Sequence, residues 1–272
     1  MEGKMQHAND NQPLSGKLKV LDLFSGIGGF SLGLEATGHF ETVAFCEISE
    51  FPRQVLAKNW PGVPCYEDVT KLTADTLRRD GINTIDIITG GFPCQDISLA
   101  GKQAGIKQGT RSGLWSEIDR LIGELRPEYV IVENVSNLFA GPASRPGAWF
   151  GRVLGDLAER GYDAEWENIP ASALGAPHRR ERAWLVAYPS KSHAPKILSA
   201  RPEPQEFRRD PWGDWPDRID QSFVLRENDG VPGDAHRIGA CGNAVVPFIP
   251  EFIGSRIASS FKGREQISLM AA

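Results

Sequence analysis

From residue 18 to residue 132 short apolar runs alternate with helical stretches, and no feature of the chain constrains its fold more tightly. Residues 18–24 read as a strand, 25–29 as a glycine turn and 30–37 as a helix that Gly38 closes. Residues 42–46 form a second strand ending at Glu47, and a helix over 51–59 follows until Pro61 stops it. The pattern continues with a short strand at 65–69, a helix at 73–79, a strand at 85–89, a helix at 114–125 and a strand at 129–132. Strands joined this way run parallel, because each helix returns the chain to the edge where the last strand began. A helix at 151–160 then precedes strands at 162–169 and 183–188, which are expected to pair antiparallel and finish the sheet. The predicted class is α/β: a doubly wound, mostly parallel sheet with helices on both faces.

The 272 residues, 40% hydrophobic and 24% charged, suit one large domain with a small appendage. Residues 1–16 are a polar tail, expected to be disordered, without the apolar segment of a signal peptide; no run is long enough to span a membrane. A soluble cytoplasmic protein is expected. Cys46, Cys65, Cys94 and Cys241 form no CxxC pair and the histidines are scattered, so neither a disulfide framework nor a metal site is expected. Over 190–236 prolines recur among Phe207, Trp212, Trp215 and Phe223 and no helical period survives, which marks a separate small unit or loop region. The net charge of −5 argues against a protein that coats nucleic acid, yet residues 175–218 hold nine Lys/Arg against six Asp/Glu. A basic face on an acidic body remains open to phosphate.

Several segments carry chemistry. The strand, turn and helix start at 22–30 turn backbone amides and a helix amino end toward a ligand. A dinucleotide fingerprint would need glycine where Ser31 stands, but Glu47 ends the second strand where ribose recognition wants an acid, and Asp68 is placed to take an adenine amine. Together these suggest a nucleoside cofactor without a pyrophosphate; a glycine turn that merely packs a helix on a strand is the alternative. Gly91-Phe92-Pro93-Cys94-Gln95 sets Cys94 in a turn at a strand's carboxyl end, as a nucleophile or as a small buried hydrophobe. Glu133 follows the fifth strand at the same sheet edge. Arg179, Arg180 and Arg182 precede a strand whose alternation puts Arg180 and Arg182 on one face, as a solvated run or as a clamp on a substrate.

These segments, in this order, resemble the cytosine-C5 DNA methyltransferase family, in a compact bacterial or phage-type form. DLFSGIGGF at 22–30 resembles its cofactor motif, GGFPCQDIS at 90–98 its proline-cysteine loop, ENV at 133–135 its glutamate motif, RRER at 179–182 its arginine motif and GNAVVP at 242–247 its late motif. GKQAGIKQGTRSGLW at 101–115 resembles the stretch that in the family moves over a flipped base. The chain departs from the family pattern at His178, where glutamine is common, and at Cys241, where leucine is usual. The segment before GNAVVP is short for the family.

The resemblance implies S-adenosylmethionine as cofactor, held by Phe24, Ser25, Gly26, Gly28, Gly29, Glu47, Ile48, Asp68, Val69, Asn243 and Ala244. It implies catalysis by Cys94, with Pro93, Glu133, Arg180 and Arg182, and no metal. Cys94 would add to C6 of cytosine, Glu133 would bond N3 and the amine, and Arg182 would meet the O2 edge of a base flipped out of the duplex. The partner expected is double-stranded DNA, bound by a monomer through Gln95, Ser98, Lys102, Arg111, Arg201, Arg208 and Arg209, with no membrane involved. Residues 17–189 and 237–272 would form the catalytic domain and 190–236 a target-recognition region. A tRNA cytosine methyltransferase and a catalytically idle DNA-binding protein are the rival readings.

Overall fold

The computed structural model describes residues 16–92, 114–136, 138, 147–176, 178–191, 197–198 and 244–271. Pro93, Cys94, Gln95, Ser98, Lys102, Arg111, Arg201, Arg208, Arg209 and Asn243 lie outside the described residues. Chain order is β1 (Leu18–Leu23), α1 (Gly29–Ala36), β2 (Phe40–Cys46), α2 (Glu50–Asn59), β3 (Cys65–Tyr66), α3 (Ala74–Arg79), β4 (Ile87–Gly90) and α4 (Trp115–Leu125). There follow β5 (Tyr129–Val135), α5 (Ala148–Glu159), β6 (Tyr162–Pro170), a 3-10 turn (Ala171–Leu174), β7 (Glu181–Pro189) and α6 (Phe248–Ala271).

The strands form one seven-stranded sheet in the order β3-β2-β1-β4-β5-β7-β6. The pairs from β3 through β5 are parallel, and β7 runs antiparallel to both β5 and β6. The doubly wound class and its antiparallel finish are therefore as expected. Winding reverses at β1, which lies between β2 and β4, and the reversal opens a crevice beyond the carboxyl ends of β1 and β4.

Each central strand alternates between two dry faces. Leu21 and Leu23 of β1, Ile88 of β4 and Val130 and Val132 of β5 pack with Leu77 of α3, Ile118 and Leu121 of α4 and Val153 of α5. Leu18 and Val20, Ile87, and Tyr129 and Ile131 pack on the other face with Phe30 and Leu34 of α1 and Ile249, Phe252 and Ile253 of α6. Ile197 and Leu198 are buried in this second cluster, and their amides donate to the Glu165 carboxylate at 3.0 and 3.1 Å.

Close contact between α1 and α6 depends on two glycines. A Cβ at Gly33 would stand 2.0 Å from the Pro247 carbonyl oxygen, and one at Gly254 would stand 2.9 Å from Leu34. Gly33→Ala is expected to lower stability by about 1–3 kcal/mol, because the crowding falls on backbone of the first turn of α6 and outweighs the better helix propensity of alanine. Denaturant unfolding of the two proteins measures it.

Element ends differ from expectation for local reasons. The short β3 stops because Asp68 turns the chain, its carboxylate accepting from the Thr70 amide at 3.0 Å and its carbonyl from the Lys71 amide at 3.0 Å. β5 runs on to Val135 because β7 pairs with it as far as Arg182, so Glu133 lies within the strand and not after it. α5 begins at Ala148, three residues before the expected 151. The sequence predicts a helix over about 250–261, but α6 runs from Phe248 to Ala271, leaving Pro250 in the first turn, where a missing amide is harmless.

Candidate active site

Beyond β1 the chain turns sharply through left-handed conformations at Phe24 (φ 52°), Gly26 (φ 54°) and Gly28 (φ 87°). Glycine suits the last because a Cβ there would stand 2.6 Å from the Trp60 ring, itself held by a 2.8 Å bond from its indole nitrogen to Glu35. Ser25 knits the turn together: its hydroxyl donates to the Asp22 carbonyl at 2.6 Å, and its amide donates to the Cys46 carbonyl at 3.2 Å. Glu47, just past β2, accepts from the Gly26 amide at 2.8 Å through one carboxylate oxygen and from the Ser49 amide at 2.8 Å through the other. Beside it Ile48 is 77% exposed, an apolar side chain left uncovered next to an anchored acid. Asp68 is partly exposed, and its hydrogen bond from Thr70 holds the carboxyl below its ordinary range. Val69 is buried in the core and contributes little surface.

The late segment meets this turn. A Cβ at Gly29 would stand 2.4 Å from the Val245 carbonyl oxygen, so Ala244 to Pro247 lie along the start of α1. Arg180 donates to the Ala244 carbonyl at 2.6 Å and ties the arginine segment to the same place.

The second half of the site gathers around Glu133. Its side chain is 13% exposed and pairs with Arg182 at 3.1 Å, across a ladder in which Val135 opposes Arg182. Burial pushes the Glu133 carboxyl above its ordinary value, against the opposing pull of Arg182 and Arg180. Arg180 reaches the pair from outside β7, with a left-handed backbone (φ 22°), so the two arginines meet at Glu133 without sharing a strand. Burial and the neighbouring Arg182 lower the Arg180 guanidinium in turn. His178 is exposed.

The chain leading toward Pro93 and Cys94 runs directly past Glu133. A Cβ at Gly91 would lie 3.4 Å from a Glu133 carboxylate oxygen, and the Asn134 amide nitrogen donates to the Phe92 carbonyl at 3.2 Å. Phe92 packs on Trp115 with ring centroids 5.9 Å apart, and the Trp115 indole donates to Asp156 at 2.8 Å. The sheet edge thus collects the glycine turn, Glu47, Glu133, Arg180, Arg182 and Ala244, whereas Asp68 and Val69 stand at its β3 side.

Residues that the sequence reading did not single out complete the arrangement. Asp22 is fully buried; Thr89 donates to one carboxylate oxygen at 2.7 Å and Ser31 to the other at 2.8 Å. Ser31, at the position where a dinucleotide fingerprint would carry glycine, therefore has a partner to serve. A signal was present: an acid in a strand covered on both faces has no route to water. Asn134 and Trp60 left no comparable mark, since their roles depend on Phe92 and Gly28, which are distant in sequence.

Comparison with known proteins places the chain. The sequence model described as C-5 cytosine-specific DNA methylase matches residues 18–221. The type II methyltransferase M2.BsuMI of Bacillus subtilis is 36% identical over 174 residues, 62% of this chain and 42% of that protein. M1.ScrFI of Lactococcus lactis, also a type II methyltransferase, is 37% identical over 176 residues, 65% of this chain and 43% of that protein. A solved prophage-encoded protein of E. coli, described as a DNA modification methyltransferase, superimposes with TM-score 0.53 at 29% identity, over 64% of this chain and 47% of that one. This chain spans less than half the length of each of these three relatives. With the matched family model covering every strand of the sheet and the glycine, glutamate and arginine segments of the site, the chain belongs to the C-5 cytosine-specific DNA methylase family.

Proposed function

We propose that this chain transfers a methyl group from S-adenosylmethionine to C5 of a cytosine flipped out of double-stranded DNA, through a covalent adduct between Cys94 and C6. The observation that carries this reading is Glu133. It is a largely covered carboxyl, 13% exposed, pushed above its ordinary value by desolvation, paired to Arg182 and set beside Gly91, three residues before Cys94. A protonated carboxyl can donate to N3 of cytosine while its carbonyl oxygen accepts from the base amine, and that geometry suits a base turned into the crevice. Addition of the Cys94 thiolate to C6 moves the ring electrons toward N3, which takes the Glu133 proton, and C5 becomes electron-rich. Arg182 meets the O2 edge, and Pro93 and Arg180 hold the surrounding chain. Once C5 carries the transferred methyl group, its proton passes to a base, the C5–C6 double bond re-forms as the carbon–sulfur bond breaks and the Cys94 thiolate leaves, and N3 returns its proton to Glu133.

The turn fits the proposed cofactor. Glu47 presents a carboxylate anchored at the edge, Ile48 offers apolar surface beside it, and a Cβ at Gly26 would meet nothing within 4 Å, so the turn is open on that side. Bound there, S-adenosylmethionine supplies an electrophilic methyl group. Phe24, Ser25, Gly26, Gly28, Gly29, Glu47, Ile48, Asp68, Val69, Asn243 and Ala244 are assigned to hold it. Glu47→Ala is expected to weaken cofactor binding by about 1–3 kcal/mol, since it removes an acceptor and loosens the Gly26 turn together. Asp68→Ala is expected to weaken it less, because Asp68 is more exposed and already engaged with Thr70 and Lys71. Titration calorimetry ranks the two.

Residues 17–189 and 237–272 are assigned to catalysis and 190–236 to target recognition, with Gln95, Ser98, Lys102, Arg111, Arg201, Arg208 and Arg209 contacting a DNA duplex and the protein acting as a monomer. Among the described residues no helix is long and apolar enough to cross a membrane. The test is bisulfite sequencing of DNA from cells expressing the chain, beside transfer of labelled methyl to duplex DNA and to tRNA. Label in tRNA alone would overturn the DNA assignment, and label in neither would overturn the enzyme.

A further inference from the structure

Asp22 is a buried carboxylate that the reaction proposed above does not use. Its carbonyl holds Ser25 at one end of the glycine turn, and its side chain holds Ser31 in the first turn of α1, so both ends of the turn are fastened to this residue. Thr89 connects it to β4, whose next residues lead toward Cys94. The titratable groups that face it are Glu47 at the end of β2 and Cys65 on β3. Both can only add negative charge, and none of the ion pairs among the described residues involves Asp22. Glu47, which accepts from Gly26, brings the turn within electrostatic range of Asp22. A carboxylate in dry surroundings that forms no ion pair favours any bound ligand that carries a positive centre.

We propose that Asp22 is an electrostatic positioning residue: its ionised carboxylate, fastened beneath the glycine turn by Ser31 and Thr89, makes the site prefer the cationic sulfonium donor to the neutral thioether that methyl transfer leaves behind. The inference rests on the cofactor reading above. Transfer removes one positive charge from the ligand, so Asp22 takes up a proton from solvent as the product state forms, and the thioether is held less tightly. Burial pushes the free Asp22 carboxyl up to about 7, against the hydrogen bonds from Thr89 and Ser31 and with Glu47 adding to the rise. Ionisation is therefore poised where a nearby positive charge can complete it.

The test is calorimetric binding of S-adenosylmethionine and S-adenosylhomocysteine to the full chain at pH 6, 7 and 8. The two ligands share their amino-acid end, so its titration cancels in the comparison. From pH 6 to pH 8 the preference for the sulfonium ligand is expected to grow by about tenfold, the full linkage of one group titrating near 7. Asp22→Asn should abolish that growth. In Thr89→Val, which keeps the charge but removes a donor to it, the midpoint should move to higher pH. The asparagine variant is expected to fold. A carboxyl whose folded pKa exceeds its unfolded one contributes stability below the unfolded value and loses it as pH rises through the folded one, so removing its charge costs nothing above about pH 7. Equal pH slopes for the two ligands in the unaltered chain, or an unchanged slope difference in Asp22→Asn, would overturn the inference. Failure of the unaltered chain to bind either ligand would instead overturn the cofactor reading, and the inference with it.

Discussion

Cys94→Ser is expected to abolish methyl transfer, with a loss on the order of 10⁴-fold or more, the scale at which enzymes fail when their nucleophile is removed. The reason is ionisation: a thiol supplies thiolate near neutral pH, whereas a serine hydroxyl without a strong base does not. Cofactor binding should persist, because the glycine turn, Glu47 and Ala244 are built from other segments of the chain. A companion experiment uses duplex DNA with 5-fluorocytosine at the target. Fluorine cannot leave as a proton does, so the adduct should accumulate and survive denaturing electrophoresis, with Cys94 identified by mass spectrometry. Turnover retained in the serine variant, or a trapped peptide lacking Cys94, would defeat the covalent mechanism while leaving the family assignment in place.

Glu133→Gln should lower turnover by about 10²–10⁴-fold, the usual contribution of a general acid, while affinity for DNA changes little. Glutamine can still donate to N3 and accept from the base amine, so the variant isolates the proton from the hydrogen bonds. The ion pair with Arg182 is also lost, and Arg180 stands close to the same carboxyl, so a melting curve must accompany the kinetics. Because burial raises the carboxyl while both arginines oppose it, the limb of the single-turnover pH profile on which the rate falls as Glu133 loses its proton with rising pH should lie above the ordinary carboxylate range. In Glu133→Gln that limb should vanish. An unchanged pH profile would show that Glu133 only shapes the pocket.

Much of this molecule could be read before its coordinates. Ile87 to Gly90 and Tyr129 to Val132 announce buried parallel strands because an apolar run with no polar alternation needs cover on both faces. Glu47 was legible too, since strands of a parallel sheet end at one edge and an acid just past β2 stands there, whereas Glu133, expected after β5, lies inside it because β7 extends the pairing. The reading went astray where a neighbour distant in sequence decided the outcome. Strand alternation was the wrong reason for pairing Arg180 with Arg182, because β7 begins between them and Arg180 joins from outside it with a left-handed backbone.

By itself the sequence determined the class of sheet, the place of its glycine turn and the ordered set of segments that mark the family. These are local properties: periodicity, turn chemistry and residue type are written in consecutive positions. Only the tertiary structure decided that β7 lies between β5 and β6, that Val245 closes on Gly29, and that Asp22 is sealed between Ser31 and Thr89. Each of these depends on surfaces brought together across long stretches of chain, and burial, which pushes the Asp22 and Glu133 carboxyls above their ordinary values, exists only once those surfaces have met.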